Sequence, residues 1–165
     1  MGKWEAALIA VLIAASPLAA QPLPGDHVIV PGVRIGPAEL EPADQGALVR
    51  ELGEPNQTER RGDNDIYHYG DGTSPDELVV NFDLAKDAPF EISTGSPLYR
   101  TQGGLGVGST DAAIRAAMGP PLCEGDRAIV YPSIWFLLAQ GQVTKLSIRE
   151  HLSRQDFQTG PLACK

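Results

Sequence analysis

The stretch GSTDAAIRAAMGPP at residues 108–121 decides the fold, because a matching stretch, PADQGALVRELGEP, occupies residues 42–55. One constant offset places Leu52 on Met118 and Gly53 on Gly119. A pattern that recurs along a chain predicts a structural unit that is used more than once. The sequence therefore predicts an internal duplication.

Each stretch predicts a short helix that carries its own stop signal. Apolar residues four positions apart share one helical face, and both stretches contain such a pair: Leu48 with Leu52, and Ile114 with Met118. Ser109 or Thr110 is suited to cap the second helix, and Asp111 suits its first turn. A glycine followed two residues later by proline ends each helix.

Three strand-like segments follow each predicted helix, separated by polar turns. They cover residues 66–69, 78–82 and 90–92 in the first copy, and 128–131, 134–138 and 143–148 in the second. We therefore expect an α+β domain, a tandem duplication of a helix plus a three-stranded antiparallel meander, with the helices packed on one face of the sheet. The two repeats cover about residues 29–93 and 101–150, and a C-terminal tail follows.

Residues 1–20 have the composition of a cleavable signal peptide. Lys3 precedes an apolar run at residues 6–15, and Ser16-Pro17 and small residues follow it. Such a run fits a secretory core of about 7–15 residues and is shorter than the roughly 20 residues of a membrane-spanning helix. No lipid-attachment cysteine follows the run. We expect one mature domain, residues 21–165, that is periplasmic or secreted and has no membrane anchor.

Charge and cysteine content limit the partners and the compartment. The net charge is −8, and no cluster of Lys or Arg occurs, so the chain repels phosphate backbones and nucleic acid is excluded as a partner. The only two cysteines, Cys123 and Cys164, are too few for a structural zinc site. In an oxidising compartment they predict one disulfide, which would also hold the C-terminal tail in place.

The second copy resembles a known structural family. Its features are Gly106 through Thr110 before the helix, the Met-Gly-Pro-Pro stop, Tyr131, the aromatic strand from Trp135, and the segment from Gly141 to Ile148. This pattern is similar to that of the β-lactamase-inhibitory-protein-like fold and the SmpA/OmlA-type outer-membrane assembly lipoproteins. The resemblance implies an exported bacterial module that binds an envelope or secreted protein, as an inhibitor or an assembly accessory.

The residues favour binding over catalysis. The three histidines are scattered, no G-x-S-x-G motif occurs, and the cysteines are expected to be bridged, so we predict no catalytic residues, no cofactor and no enzyme activity. Aspartates near residue 63 resemble a calcium loop, but Tyr67 stands at a ligand position and no glutamate closes the loop. We therefore predict no metal site, while a small-molecule or calcium-binding periplasmic protein stays as the alternative.

Aromatic residues on the predicted strands are the candidates for partner binding, since Tyr and Trp dominate protein hot spots. Tyr67 and Tyr69 share one strand face beside an acidic hairpin. The expected partner-binding residues are Tyr67, Tyr69, Asp63, Asp65, Tyr131 and Trp135.

Overall fold

The computed structural model describes residues 26–41, 44–70, 78–151 and 153, and the backbone of Ala163 and Cys164. The predicted signal peptide lies outside these residues. Among the described residues, no helix has the length and apolar character that crossing a bilayer requires.

The described chain contains two helices and thirteen strands. They are β1 (Val28–Val30), β2 (Arg34–Ile35), β3 (Ala38–Glu39), α1 (Gln45–Leu52), β4 (Gln57–Arg61), β5 (Asn64–Tyr69), β6 (Leu78–Asp83), β7 (Ala88–Thr94), β8 (Arg100–Thr101), α2 (Asp111–Met118), β9 (Cys123–Gly125), β10 (Ala128–Tyr131), β11 (Ile134–Ala139), β12 (Gln142–Ile148) and β13 (Ala163–Cys164).

Nine strands form one antiparallel sheet in the order β13-β9-β10-β11-β12-β7-β6-β5-β4. A smaller, mixed sheet has the order β3-β2-β1-β8, in which β1 and β8 run parallel. The centre of the large sheet is the pairing of β12 with β7, which joins strands from the two halves of the chain.

The predicted fold class is wrong, because the protein is mainly β rather than an α+β tandem repeat with helices packed on a sheet. Each helix precedes four antiparallel strands instead of three, and a second sheet joins the core. Of the strands that were not predicted, β4 lacks an apolar pattern: it reads Gln-Thr-Glu-Arg-Arg and is the edge strand. Edge strands carry charge because it discourages pairing with other chains, so hydropathy does not reveal them.

Both predicted helices are confirmed, and Thr110, Gly53 and Gly119 stand at their ends as expected. Asp44, which caps the first helix, was not predicted. The N–H of Ala47 donates to Asp44 Oδ1 at 2.5 Å, and the N–H of Ala113 donates to Thr110 Oγ1 at 3.2 Å. Each helix ends at a glycine with positive φ, 83° at Gly53 and 76° at Gly119. These contacts satisfy backbone groups that a helix end leaves without partners.

The main core lies between one face of the large sheet and the elements packed on it. Tyr67, Tyr69, Phe82 and Phe136 belong to this buried cluster, together with residues of α1, α2 and the smaller sheet. The opposite face has a smaller cluster built around Cys123 and Val130.

Strand register gathers several turns at one end of the large sheet, which we call the turn end. It carries the turns at residues 62–63, 84–87 and 132–133 and the chain beyond Ile148. The turn at residues 31–33 also lies there, since a Cβ on Gly32 would come within 2.9 Å of the Ser133 side chain. Gly32 has φ of 72°, so this close approach requires glycine.

Candidate functional site

The turn end contains a cleft of about 260 Å³. Among the described residues, four apolar side chains and a rim of charged or polar ones line it: Leu40, Ala88, Pro89, Phe90, Glu41, Asp83, Lys86, Glu150 and His151. We call this the Phe90 cleft. Its lining comes from three separate parts of the chain, which the sheet register and the smaller sheet bring together.

The turn between β6 and β7 forms one wall of the cleft and is held by its own first residue. Asp83 Oδ1 accepts the Ala85 N–H at 2.9 Å, and Asp83 Oδ2 lies 3.4 Å from Lys86 Nζ. Burial raises the pKa of Asp83, but the Ala85 hydrogen bond and the Lys86 ammonium outweigh it, so the net shift is downward. Asp83 therefore stabilises this turn as a carboxylate.

A β-bulge sets the position of Phe90. Phe82 pairs with Pro89 while Asn81 pairs with Glu91, so Phe90 is an extra residue in β7. A bulge redirects the side chain at the extra position and is frequent beside binding sites. Here it lets the ring line the cleft and also meet Arg149.

Arg149 lies against two aromatic rings. Its Cζ is 5.5 Å from the centroid of Phe90 and 5.4 Å from that of Trp135, within the range of cation–π attraction. Its Nε donates to Glu91 Oε2 at 2.7 Å, and a second guanidinium nitrogen contacts the same oxygen. The Glu91 carboxylate thus neutralises Arg149 beside the cleft, and both residues hold the Phe90 ring in place.

Two exposed apolar side chains flank the Phe90 cleft. Val33 is 48% exposed, and its carbonyl accepts the Leu40 N–H at 2.8 Å. Leu84 is 37% exposed and directly follows Asp83; its N–H donates to Asp63 O at 3.0 Å. Among the described residues the other large apolar side chain with such exposure is Leu98, which follows β7 at the opposite end of the sheet.

Acidic groups outnumber basic ones at the turn end. Exposed Glu41 and Glu150 lie on the rim of the cleft, and Asp63 and Asp87 lie on neighbouring turns. In the described part of the chain, neither Glu41 nor Glu150 forms an ion pair. The cleft therefore presents two carboxylates that are not paired with a basic side chain of the described residues.

The three tyrosines predicted to bind a partner are core residues. Tyr67 is 7% exposed, Tyr69 is 2% exposed and Tyr131 is 4% exposed. Tyr67 packs against Phe82 with ring centroids 5.3 Å apart, and the Tyr131 hydroxyl donates to Gly119 O at 2.9 Å. Because the smaller sheet and the helices cover this face, the rings offer no surface to a partner, which corrects the expectation that they lie on an open face.

The two aspartates predicted to bind a partner, Asp63 and Asp65, differ in burial and in their contacts. Asp65 is buried and accepts two hydrogen bonds from Arg60, at 2.7 and 2.8 Å, on the edge strand β4. These bonds lower the pKa of Asp65 and outweigh the effect of burial. Asp63 is exposed on the turn end. Asp65 therefore links β5 to β4 through its contact with Arg60. Of the two aspartates, only Asp63 lies on the surface of the turn end.

Trp135 is half-buried on the face opposite the tyrosines, against Arg149. It supports the Phe90 cleft through Arg149 rather than lining it. The sequence reasoning missed Phe90, Leu84 and Glu150. The one local signal was Leu84, a large apolar residue inside a turn, residues 83–87, that contains three charged residues.

The calcium pattern in the sequence consists of Asp63, Asp65, Asp71 and Asp76. Asp63 is exposed, Asp65 accepts hydrogen bonds from Arg60, and Asp71 and Asp76 lie outside the described residues. Within the described ranges, no three His, Cys, Asp or Glu side chains are grouped so as to hold a metal ion.

The two cysteines occupy opposed positions on neighbouring strands at one edge of the sheet. In the register of β13 with β9, Cys164 stands opposite Cys123. Cys123 is 1% exposed, and in the described part of the chain no cysteine is a free thiol. Directly opposed residues of antiparallel strands have Cα atoms about 4.5–5.5 Å apart, which is within the range for a disulfide.

No family model matches the chain, and no curated protein matches it. A cysteine-rich secretory protein from Staphylococcus aureus is similar at 14% identity and a TM-score of 0.52, over 74% of this chain and 48% of that one. An SCP-domain extracellular protein from Bacillus anthracis has 7% identity and a TM-score of 0.46, over 65% and 43%. The uncharacterized protein yfeY from Escherichia coli has 13% identity and a TM-score of 0.46, over 76% and 98%.

The likeness to the staphylococcal protein is one of fold. This chain spans less than half the length of the staphylococcal and Bacillus anthracis proteins, so it matches only a part of each. The chain therefore shares part of its fold with a secretory protein from Staphylococcus aureus.

Proposed function

We propose that this chain is an exported protein, periplasmic or secreted, that binds another protein through the turn end of its sheet and acts without catalysis. The observation that carries the proposal is the placement of Val33 and Leu84. Two of the three exposed large apolar side chains of the described chain belong to residues next to the lining of the same cleft. Leu84 follows Asp83 in sequence, and the Val33 carbonyl accepts the Leu40 N–H. Exposed apolar side chains around a concave surface mark interaction sites.

Export is supported by the sequence and by the likeness in fold. Residues 1–20 have a signal-peptide composition, and the matched staphylococcal structure is described as a secretory protein. The partner is then an envelope or secreted protein. The resemblance to β-lactamase-inhibitory-protein-like and SmpA/OmlA-type proteins implies that the chain either inhibits that partner or assists its assembly.

A protein partner fits the cleft better than a free small molecule does. Small-molecule pockets enclose roughly 300–1,000 Å³ and cover most of their ligand. The Phe90 cleft is smaller, at about 260 Å³, and its rim residues Glu41, Glu150 and His151 are exposed. It has room for one side chain of a larger partner, and the exposed apolar residues beside it would contact the surface around that side chain.

A pair of matched variants tests the proposal. Leu84→Asp changes the turn end, while Leu98→Asp makes the same substitution at an exposed site at the opposite end. Tagged proteins are cross-linked in intact cells, and the purified complexes are compared by mass spectrometry. We expect one partner that is retained by Leu98→Asp and lost by Leu84→Asp. Equal retention by both variants would remove the turn end as the docking surface.

A further inference from the structure

We infer that the Phe90 cleft receives an arginine side chain of the partner protein. This inference rests on the proposed protein-binding function and names the chemical group that the cleft recognises. It combines an aromatic ring, an apolar floor and two rim carboxylates, which together match a planar cation on an apolar stem.

The rim supplies the charge. Asp83 already accepts hydrogen bonds within its own turn, but Glu41 and Glu150 are exposed and have no ion pair with a described residue. They come from different parts of the chain and line the same space. A guanidinium between them would form charge-assisted hydrogen bonds, which are shorter and stronger than those between neutral groups.

The floor supplies the apolar contact. Leu40 and Pro89 are buried, Ala88 and Phe90 are half-buried, and all four line the cleft. An arginine buries its methylene stem on such a surface and keeps its charged head at the rim. Phe90 is held by Arg149, so the ring is already in place before a partner binds.

The nearby positive charge does not oppose this occupant. Arg149 is neutralised by Glu91, whose side chain is 12% exposed. Lys86 is largely exposed and lies beside Asp83. The carboxylates of Glu41 and Glu150 therefore determine the sign of the field in the cleft, in keeping with the net charge of −8 of the whole chain.

Arginine fits better than lysine for a geometric reason. A guanidinium is planar, stacks on an aromatic ring and offers several N–H donors in a fixed arrangement. A flat group can meet the Phe90 ring and donate to both rim carboxylates, whereas an ammonium is a compact and strongly hydrated charge. An acidic partner side chain would be repelled by the rim.

The test uses N-acetyl-arginine amide as the probe and N-acetyl-citrulline amide as its neutral, nearly isosteric control. Titration into the 15N-labelled protein is followed by amide chemical shifts. We expect the arginine probe to shift signals of residues 83–91 and 149–151 at millimolar concentration, with binding at least about fivefold weaker for citrulline, which corresponds to roughly 1 kcal/mol.

Two variants test whether the rim carboxylates bind the arginine probe. The double variant Glu41→Gln, Glu150→Gln should weaken arginine binding about fivefold or more. Asp126→Asn, an exposed residue in the turn between β9 and β10 at the opposite end of the sheet, should leave it unchanged. Equal binding of arginine and citrulline, or shifts that map elsewhere, would overturn the inference.

The experiments distinguish an incorrect arginine site from an incorrect protein-binding function. If the cross-linked partner is lost with Leu84→Asp but retained by the double glutamine variant, and the arginine probe causes no shifts, protein docking stands and the arginine site is wrong. Loss of the partner with the double variant as well as with Leu84→Asp supports the arginine site.

Discussion

At the scale of single residues, the two tyrosines that end β5 and β10 occupy similar positions but differ in one hydrogen bond. The Tyr131 hydroxyl donates to Gly119 O, the carbonyl that follows α2. The Tyr69 hydroxyl is buried and has no hydrogen-bond partner among the described residues. Burial also raises the pKa of both phenols, so both hydroxyls stay protonated at neutral pH.

This difference predicts that replacing each tyrosine by phenylalanine changes the free energy of unfolding differently. Tyr131→Phe should lower the free energy of unfolding by about 1 kcal/mol, because it leaves the Gly119 carbonyl without its donor. Tyr69→Phe should be neutral or slightly stabilising, because it removes a buried hydroxyl without a described partner. Urea unfolding of both variants measures the contrast. If Tyr69→Phe lowered the free energy of unfolding as much as Tyr131→Phe does, this prediction would be wrong.

Asp65 predicts a pH dependence of stability. Its pKa is lowered in the folded protein by Arg60, so its ion pair stabilises the fold above the ordinary value of 3.8 and is lost as the pH falls through the lower folded value. Asp65→Asn should therefore flatten the decline of melting temperature in acid, mainly below about pH 4. Asp63→Asn, an exposed residue two positions away, is the control. Identical acid profiles for the wild type and Asp65→Asn would refute the assignment.

At the scale of elements, helix ends could be read from sequence because their signals are local. A cap side chain bonds to a backbone N–H three residues away, so Asp44 and Thr110 act within one turn of chain. The polar strand β4 has no such local signal. It forms because β5 offers a free edge, and Arg60 then reaches Asp65 across that pair.

The caps make a prediction at this scale. Thr110→Ala and Asp44→Ala should each lower the free energy of unfolding by about 1 kcal/mol, since each leaves a helix N–H without its acceptor. Thr110→Ser retains a hydroxyl and should remain near the wild type. Chemical unfolding monitored by circular dichroism gives these values. Equal stability of Thr110→Ala and Thr110→Ser would show that the cap contributes nothing.

At the scale of the whole molecule, the strand β13 brings the last residues of the chain back to β9. The register places Cys164 opposite Cys123, which is the backbone arrangement that the predicted disulfide requires. Such a bridge closes a loop of about 40 residues and is worth roughly 4 kcal/mol in the chain-entropy model.

Two measurements check the bridge. Alkylation of the exported, unreduced protein should leave both cysteines unmodified in the mass spectrum, and reduction should lower its melting temperature. The double variant Cys123→Ser, Cys164→Ser should unfold at a temperature that does not depend on reductant. Alkylation of either cysteine without prior reduction would show that no bridge forms.

The sequence by itself determined the features whose signals lie within a few residues. These are the two helices with their glycine ends, the apolar strands from Ile66 and from Ile134, and the pair of tyrosines at matching strand ends. Hydrophobic periodicity and capping chemistry act locally, so they can be read without knowing where the chain returns.

Only the tertiary structure decided the number of strands, the burial of the tyrosines and the site. The sequence suggested Tyr67 as a surface binding residue, whereas in the structure the smaller sheet and the helices cover it. The Phe90 cleft combines Leu40, Phe90 and Glu150, which are far apart in sequence and meet through sheet register and a bulge. Non-local pairing sets which face is covered and which turns adjoin, and no short stretch of sequence encodes either.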